Sequence, residues 1–168
     1  MYRIVSRIVK VVIGIALLAM IAGRINAQGL VTERSLSMGM AKTIAEAAQA
    51  ECRAKGYHTT VAVVDRAGQL LILLRDEKAA AHTIEMARRK AYTARMFRTP
   101  TAEFQKKTGP DSPTAGQRDL TDMLALSGGV PIKLGDETIG AVASAGSTLE
   151  FDDACAKAGI AKVADLLK

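Results

Sequence analysis

The chain is poor in several residue types, and each scarcity argues against a class of function. It has no tryptophan, three tyrosines, three phenylalanines, two histidines and two cysteines. No C-x-x-C or H-E-x-x-H pattern occurs, so a zinc site is unsupported. Neither a G-x-S-x-G elbow nor a G-x-x-x-x-G-K-[ST] loop is present, which argues against a serine hydrolase and a nucleotide phosphate cradle. The 168 residues are enough for one domain with a hydrophobic core.

The N-terminus has the pattern of a secretory signal peptide. A basic start is followed by the uncharged run VVIGIALLAMIA and by a polar stretch ending at Ala27. The run is shorter than the roughly 20 apolar residues that a membrane span needs. We therefore predict that 1–27 is a cleaved signal and that the protein is periplasmic or secreted, without membrane attachment after cleavage. An uncleaved membrane anchor is the alternative.

Removing this segment changes the interpretation of the charge. The whole chain carries 23 basic and 17 acidic residues, a net charge of +6. The segment 1–27 holds four of the basic residues and none of the acidic ones, so the remainder is close to neutral at +2. Phosphate backbones are bound by dense basic patches, and we therefore expect no nucleic-acid partner.

The two cysteines, Cys52 and Cys155, allow either of two states. In an exported chain an even count favours a disulfide, and this one would require the first and last helices to lie side by side. Alternatively, both are free thiols that pack as small hydrophobic side chains.

Hydrophobic periodicity predicts two β-hairpins, each followed by a helix, after an initial helix. A stripe of Met40, Ile44, Ala48 and Cys52 marks the first helix, with Ser37 as its cap. Both strands of the first hairpin are almost entirely apolar, so we expect both faces of the sheet to be covered. The predicted elements are a helix over 38–55, strands over 59–65 and 69–75, a helix over 82–97, a short helix opening with Thr99 and Pro100, a loop over 108–118, a hairpin with Gly135–Asp136 at its tip, and a helix over 149–167 with a stripe of Ala154, Ala158, Ala161 and Leu166.

Hairpins produce antiparallel neighbours, so this order predicts an α+β fold. We expect a single domain over 37–168, with an antiparallel sheet flanked by helices, of profilin-like or PAS-like shape. Residues 28–36 show no periodicity and are predicted to be a flexible lead-in.

The two histidines are the only imidazole donors. His82 stands at the start of the second long helix, where a side chain can line a pocket, and neutral imidazole is a good metal ligand. It could equally be a capping or surface residue. His58, at the start of the first strand, is interpreted as a surface or edge residue. Arg88, Arg89 and Lys90 are predicted to lie mostly off the apolar stripe of their helix, as a solvated or intersubunit face or as partners for ligand carboxylates.

Four sequence blocks in order resemble the GlcG/HbpS family of small haem-binding-like proteins. They are VAVVDRAGQL, HTIEMARRKAYTA, LSGGVPI with GDETIGAVASAG, and DDACAKAGI. The resemblance covers about 36–167. The resemblance implies a profilin-like domain that forms homo-oligomers, often octamers. Some members of the family bind haem and act extracellularly in redox or haem sensing. Others are encoded in glycolate-utilisation gene clusters. The family often has a glycine pair in the last hairpin turn and a GVSGA ending, where this chain has Gly135–Asp136 and ASAGS.

The resemblance leads to two hypotheses for function. The first is an exported, oligomeric ligand-binding protein, with haem as the favoured ligand, His82 as metal ligand, and nearby cations at the propionates. The second is an enzyme or accessory protein acting on a small organic acid such as a 2-hydroxy acid, whose carboxylate would be held by a cation and the 127–129 backbone. A purely structural oligomer is a third possibility. The candidate ligand-binding residues are His82, Arg88, Arg89, Arg118, Ser127, Gly128 and Gly129.

Overall fold

A computed structural model describes residue 29 and residues 31–168, and the compact unit discussed below spans Arg34–Lys168. The predicted signal peptide, 1–27, lies outside the described residues. The elements of the compact unit are α1 (Met38–Ala54), β1 (Thr60–Val64), β2 (Leu70–Arg75), α2 (Thr83–Phe97), α3 (Thr101–Lys107), β3 (Gly129–Leu134), β4 (Glu137–Ala145) and α4 (Leu149–Ala161), with short 3-10 turns at Ala115–Asp119 and Ala164–Leu166.

The four strands form one antiparallel sheet in the order β2-β1-β4-β3. Both predicted hairpins are present, and glycines with positive φ occupy their turns at Gly68 (φ 81°) and Gly135 (φ 59°). Left-handed backbone conformations of this kind favour glycine because it has no Cβ. The predicted α+β single-domain fold is therefore confirmed.

Helices cover both faces of the sheet, as the apolar strands predict. On one face, α1 and α4 pack on the sheet around a core that includes Ile44, Val61 and Val142. On the other face, α2 packs through small residues such as Ala87 and Ala91 against alanines of β4. Small side chains let the α2 backbone approach the sheet closely.

The start of α1 agrees with the predicted cap, whereas the residues just before it pack on the compact unit instead of belonging to a flexible lead-in. The Ser37 hydroxyl accepts a hydrogen bond from the Met40 amide at 3.2 Å, as expected for a helix cap. Leu36 is buried in the core and Arg34 pairs with Glu137. The compact unit thus begins at Arg34, three residues before the predicted domain start.

The last helix differs from its prediction in length and in buried face. It ends at Ala161 rather than 167, and its buried residues are Asp152, Cys155, Ala156 and Gly159 rather than the predicted alanine stripe. The reason is its close crossing with α1. A Cβ at Gly159 would lie 2.6 Å from the Ile44 carbonyl oxygen, so this face must be free of larger side chains.

Two smaller predictions also need correction. Pro100 occupies the cap position of α3, with Thr101 as the first helical residue, so the predicted start is one residue early. Part of the predicted loop over 108–118 is a 3-10 turn at Ala115–Asp119. Neither difference alters the topology.

A disulfide joins Cys52 on α1 to Cys155 on α4, with their Cα atoms 5.6 Å apart. The two helices lie side by side, which is the arrangement that this pairing requires. Within the described residues, no helix is both long and apolar enough to cross a membrane.

Candidate functional site

The predicted metal ligand His82 lies at the surface, at the N-terminus of α2. Its side chain is exposed and makes no capping hydrogen bond. The following residue, Thr83, is buried, and its hydroxyl lies 2.7 Å from that of Thr60 at the start of β1. His82 is therefore held beside the end of the sheet where β1 begins.

The second histidine, His58, lies at this same end of the sheet and has a more organised environment. Its Nδ1 is 2.9 Å from Oδ1 of Asp76, and its side chain is 40% exposed. Asp76 follows β2 directly, and its amide donates to the carbonyl of Thr59, which brings the carboxylate back to the start of β1. The sequence separates the two residues by 18 positions, so their pairing depends on the β1–β2 hairpin.

Asp76 is fixed by several donors at once. Its buried carboxylate accepts from the Lys78 amide at 3.0 Å and from Arg53 Nη2 at 2.7 Å. The Lys78 amide, the Arg53 hydrogen bond, and the charges of His58 and Arg53 lower the pKa of Asp76 to about 2, against the opposing effect of burial. The carboxylate is thus ionised at neutral pH and holds the His58 ring in one orientation.

This carboxylate–histidine arrangement is the one that proteins commonly use to orient a metal-binding imidazole. With Nδ1 directed to a carboxylate, Nε2 is the nitrogen available to a metal. Tyr57, the residue before His58 in the chain, pairs its ring with that of Phe151, with centroids 5.0 Å apart. The His58–Asp76 contact therefore offers one oriented nitrogen donor at this end of the sheet.

The remaining predicted site residues do not converge on either histidine. Arg88 bonds Glu85 at 2.8 Å and Asp122 at 2.6 Å, and these hydrogen bonds raise its pKa. Arg89 donates to the Met123 carbonyl, and Arg118 donates to the Gln105 carbonyl at 2.7 Å. The three arginines attach the segment after α3 to the helices, rather than surrounding a shared ligand.

The Ser127–Gly129 segment packs over a buried ion pair. Gly128 and Gly129 are buried, and the Gly129 amide donates to the Thr101 hydroxyl at 2.9 Å, so it is already used. Gly128 has a φ of 120°, and a Cβ there would lie 2.7 Å from Cβ of Asp152 and 3.0 Å from Nζ of Lys90. These glycines provide close packing around Lys90 and Asp152.

Lys90 itself corrects a prediction, because it is fully buried rather than solvated. Its Nζ lies 2.8 Å from Oδ2 of Asp152 and 3.2 Å from the Ser144 carbonyl. The other carboxylate oxygen of Asp152 accepts from the Ser147 hydroxyl at 2.7 Å and amide at 3.1 Å. Burial lowers the pKa of Lys90, and the Asp152 carboxylate opposes this shift. The pair ties α2 to the start of α4.

One surface groove of the compact unit contains no histidine, cysteine, methionine or tyrosine that could serve as an axial ligand for haem. It lies between α1 and α4, has a volume of about 580 Å³, and is lined by Ala47, Ala50, Glu51, Ala158, Ala161 and Lys162. Within the described part of the chain, no three His, Cys, Asp or Glu side chains cluster as a metal site. The two histidines lie at the end of the sheet where β1 begins, and the nitrogen of His58, backed by the Asp76 carboxylate, is oriented to ligate an iron there.

Comparisons with known proteins agree with this fold. The family model for haem degrading protein HbpS-like matches residues 36–161. The chain is 32% identical over 111 residues to protein GlcG of Escherichia coli K12, covering 66% of this chain and 81% of GlcG. It is also similar to the crystal structure of HbpS, with a TM-score of 0.75, 32% identity, and coverage of 82% of this chain and 97% of HbpS.

A crystal structure of a PduOC–haem complex shares the fold at lower identity. The TM-score is 0.72 and the identity 24%, with 76% of this chain and 94% of PduOC covered. At this identity the likeness concerns the fold alone.

Proposed function

Because the chain belongs to the GlcG/HbpS family, we propose that it binds haem, with the iron ligated by His58. Two comparisons support the proposal: the matched family is described as haem degrading, and a protein of the same fold has been crystallised with haem. The choice of His58 as the iron ligand rests on the 2.9 Å contact between its Nδ1 and the buried carboxylate of Asp76.

Each residue of this cluster has a separate task. Asp76 fixes the ring of His58 and favours the tautomer with a proton on Nδ1, which leaves Nε2 as the donor. Arg53 and the Lys78 amide hold Asp76 in place. Bound haem would supply a redox-active iron, whereas these residues only position its ligand.

His82 is the alternative ligand at the same end of the sheet. Its greater exposure makes it accessible, but its side chain makes no capping hydrogen bond that would orient the ring. The proposal therefore predicts that replacing His58 weakens haem binding, whereas replacing His82 does not.

Haemin titration of the purified protein tests both parts of the proposal. We expect a shifted Soret band that saturates at one equivalent, is lost or greatly weakened in His58→Ala, and is retained in His82→Ala. Circular dichroism and thermal melting would show that the variants are folded. The absence of a Soret shift in the wild type would contradict haem binding. Loss of the shifted band only in His82→Ala would show that His82, and not His58, is the iron ligand.

We also propose that the protein is exported and acts in haem or redox handling outside the cytoplasm. The basic and apolar N-terminal pattern supports export, and so does the disulfide, because such bonds persist in oxidising compartments. Cell fractionation with N-terminal sequencing tests this: a processed N-terminus at Gln28 in the exported fraction is expected, and an unprocessed cytoplasmic protein would contradict it.

A homo-oligomer, with an octamer as one possible size, completes the proposal. The edge strand β2 supports it, because it presents the uncharged sequence LLILL with every residue at least partly exposed. An unpaired apolar edge is suited to association with another copy. Light scattering should show an assembly that Leu70→Glu weakens, and a monomeric wild type would contradict this.

A further inference from the structure

The Cys52–Cys155 disulfide is directly connected to the residues that hold His58. Cys52 lies in the last turn of α1, and the next residue, Arg53, donates from Nε at 3.1 Å and from Nη2 at 2.7 Å to Oδ2 of Asp76. The other oxygen of this carboxylate, Oδ1, lies 2.9 Å from Nδ1 of His58. The bridge is therefore linked to the His58 ring through two side chains, those of Arg53 and Asp76.

The backbone that leads to His58 is also attached to Cys52. The Cys52 carbonyl accepts hydrogen bonds from the Lys55 amide at 3.1 Å and from the Tyr57 amide at 3.0 Å. These bonds close the turn between α1 and His58, so the position of Cys52 determines where that turn ends. A displacement of the end of α1 would thus move Arg53 and the His58 backbone together.

The second cysteine fixes the same turn from α4. Phe151 lies one helical turn before Cys155 and on the same side of α4. Its ring pairs with that of Tyr57, with centroids 5.0 Å apart. Both cysteines are fully buried. The bridge and the ring pair therefore hold α4 against the turn that precedes His58, and only the ring pair would remain after reduction.

We propose that the Cys52–Cys155 disulfide positions His58, so that the bridged protein binds haem more tightly than its dithiol form. The inference rests on the proposed ligation of the iron by His58. Reduction by a dithiol would deliver two electrons and two protons to the bridge, which gives two cysteine thiols and leaves the reductant as a disulfide. The end of α1 would then be held to α4 by noncovalent contacts alone. Because a metal ligand must be held in one orientation by the residues around it, haem affinity should fall.

Such a coupling must act in both directions. If the bridge raises the affinity for a ligand tenfold, a saturating concentration of that ligand protects the bridge from reduction by the same factor. For this two-electron couple, a factor of ten corresponds to a decrease in midpoint potential of about 30 mV. A bridge with a purely structural role would lower stability when removed, but would change neither the affinity nor the potential.

Haemin titration of Cys52→Ser/Cys155→Ser tests the first direction. We expect about tenfold weaker binding than in the wild type, together with a lower frequency of the iron–histidine stretching band in resonance Raman spectra. Leu36→Ala is the matched control. Leu36 is buried beside Gly140, toward the opposite end of the sheet from His58, so this variant should melt at a lower temperature and bind haemin like the wild type.

The wild type itself tests the second direction, without any change to the cysteines. Its disulfide is equilibrated in dithiothreitol redox buffers with and without zinc protoporphyrin, whose metal takes an axial imidazole and is not reduced by thiols. We expect the porphyrin to lower the midpoint potential by about 30 mV for a tenfold coupling. No shift is expected in His58→Ala. An unchanged potential in the wild type with bound porphyrin would overturn the proposal, as would equal haemin affinity in the wild type and the folded double cysteine variant.

Nitrogen NMR of the haem-free protein separates failure of this inference from failure of the proposed function. In mildly alkaline buffer, we expect the bridged protein to hold His58 as one tautomer, with the proton on Nδ1, and the double cysteine variant to show a mixture of tautomers. If the wild type bound no haemin, the proposed function would fail, and the NMR comparison would still decide whether the bridge positions His58. The same single tautomer in both proteins would contradict that positioning.

Discussion

Replacement of Lys90 by methionine is the strongest test of the packing described here. Lys90 and Asp152 form an ion pair that is almost completely removed from solvent, with side-chain exposures of 0% and 2%. Removing one member of such a pair leaves an uncompensated buried charge, which typically costs about 3–5 kcal/mol. The Ser147 hydroxyl and amide still donate to Asp152, so we expect Lys90→Met to lose about 3 kcal/mol, at the lower end of that range.

Urea denaturation at pH 7, followed by circular dichroism, measures this loss. For a chain of this size, about 3 kcal/mol corresponds to a decrease in melting temperature of roughly 6–12 °C. Lys42→Met is the matched control, because Lys42 and Glu46 form an exposed pair on α1 that should contribute less than about 0.5 kcal/mol. The double variant Lys90→Met/Asp152→Leu should recover part of the stability, since it leaves no buried charge unpaired.

A loss below about 1 kcal/mol in Lys90→Met, similar to that of the control, would refute this reasoning. It would mean that the lysine is hydrated in solution, and that the glycines over it are not required by a buried ion pair.

Two further predictions concern acid stability and the disulfide. The folded-state pKa of Asp76 is lowered from 3.8 to about 2, so its stabilisation is complete above about pH 4 and is lost as the pH falls toward 2. The difference in unfolding free energy between the wild type and Asp76→Asn should therefore shrink between pH 4 and pH 2, and a constant difference would contradict this. Thiol counting in denaturant should find no reactive thiol before reduction and two afterwards, and two before reduction would contradict a Cys52–Cys155 bond. Reduction should cost about 4–5 kcal/mol, because the bridged residues are 103 positions apart.

The sheet and most helices could be predicted because their signals are local. Gly68 and Gly135 mark the two hairpin turns, and β-branched or leucine-rich runs mark the strands on either side. Ser37 identifies the start of α1 through its side-chain hydrogen bond. In each case, the residues that determine the element lie within a few positions of one another.

The buried face of α4 and the burial of Lys90 could not be predicted from the sequence, because both depend on distant residues. The face of α4 depends on contacts with α1, which is about 100 residues earlier in the chain. Lys90 does carry a local signal, because Ala87, Lys90, Ala91 and Ala94 follow the i, i+3, i+4, i+7 pattern of one helix face. Its charge favoured a solvated position, and its burial depends on partners distant in sequence, the Asp152 carboxylate and the Ser144 carbonyl.

The contact between His58 and Asp76 could not be predicted for a similar reason. A histidine before a strand has no distinguishing local pattern, and its partner Asp76 comes after the next strand. The sequence DEK after β2 marks the position of Asp76 without indicating its contacts. The significance of His58 follows from the hairpin register, which places Thr60 opposite Arg75 and brings the neighbouring residues together.

Resonance Raman spectroscopy of the ferrous haem complex tests the central claim most directly. If His58 ligates the iron and Asp76 accepts a hydrogen bond from its ring, the iron–histidine stretching band should disappear in His58→Ala. The same band should move to lower frequency in Asp76→Asn and remain unchanged in His82→Ala. A band that persists in His58→Ala would contradict the account.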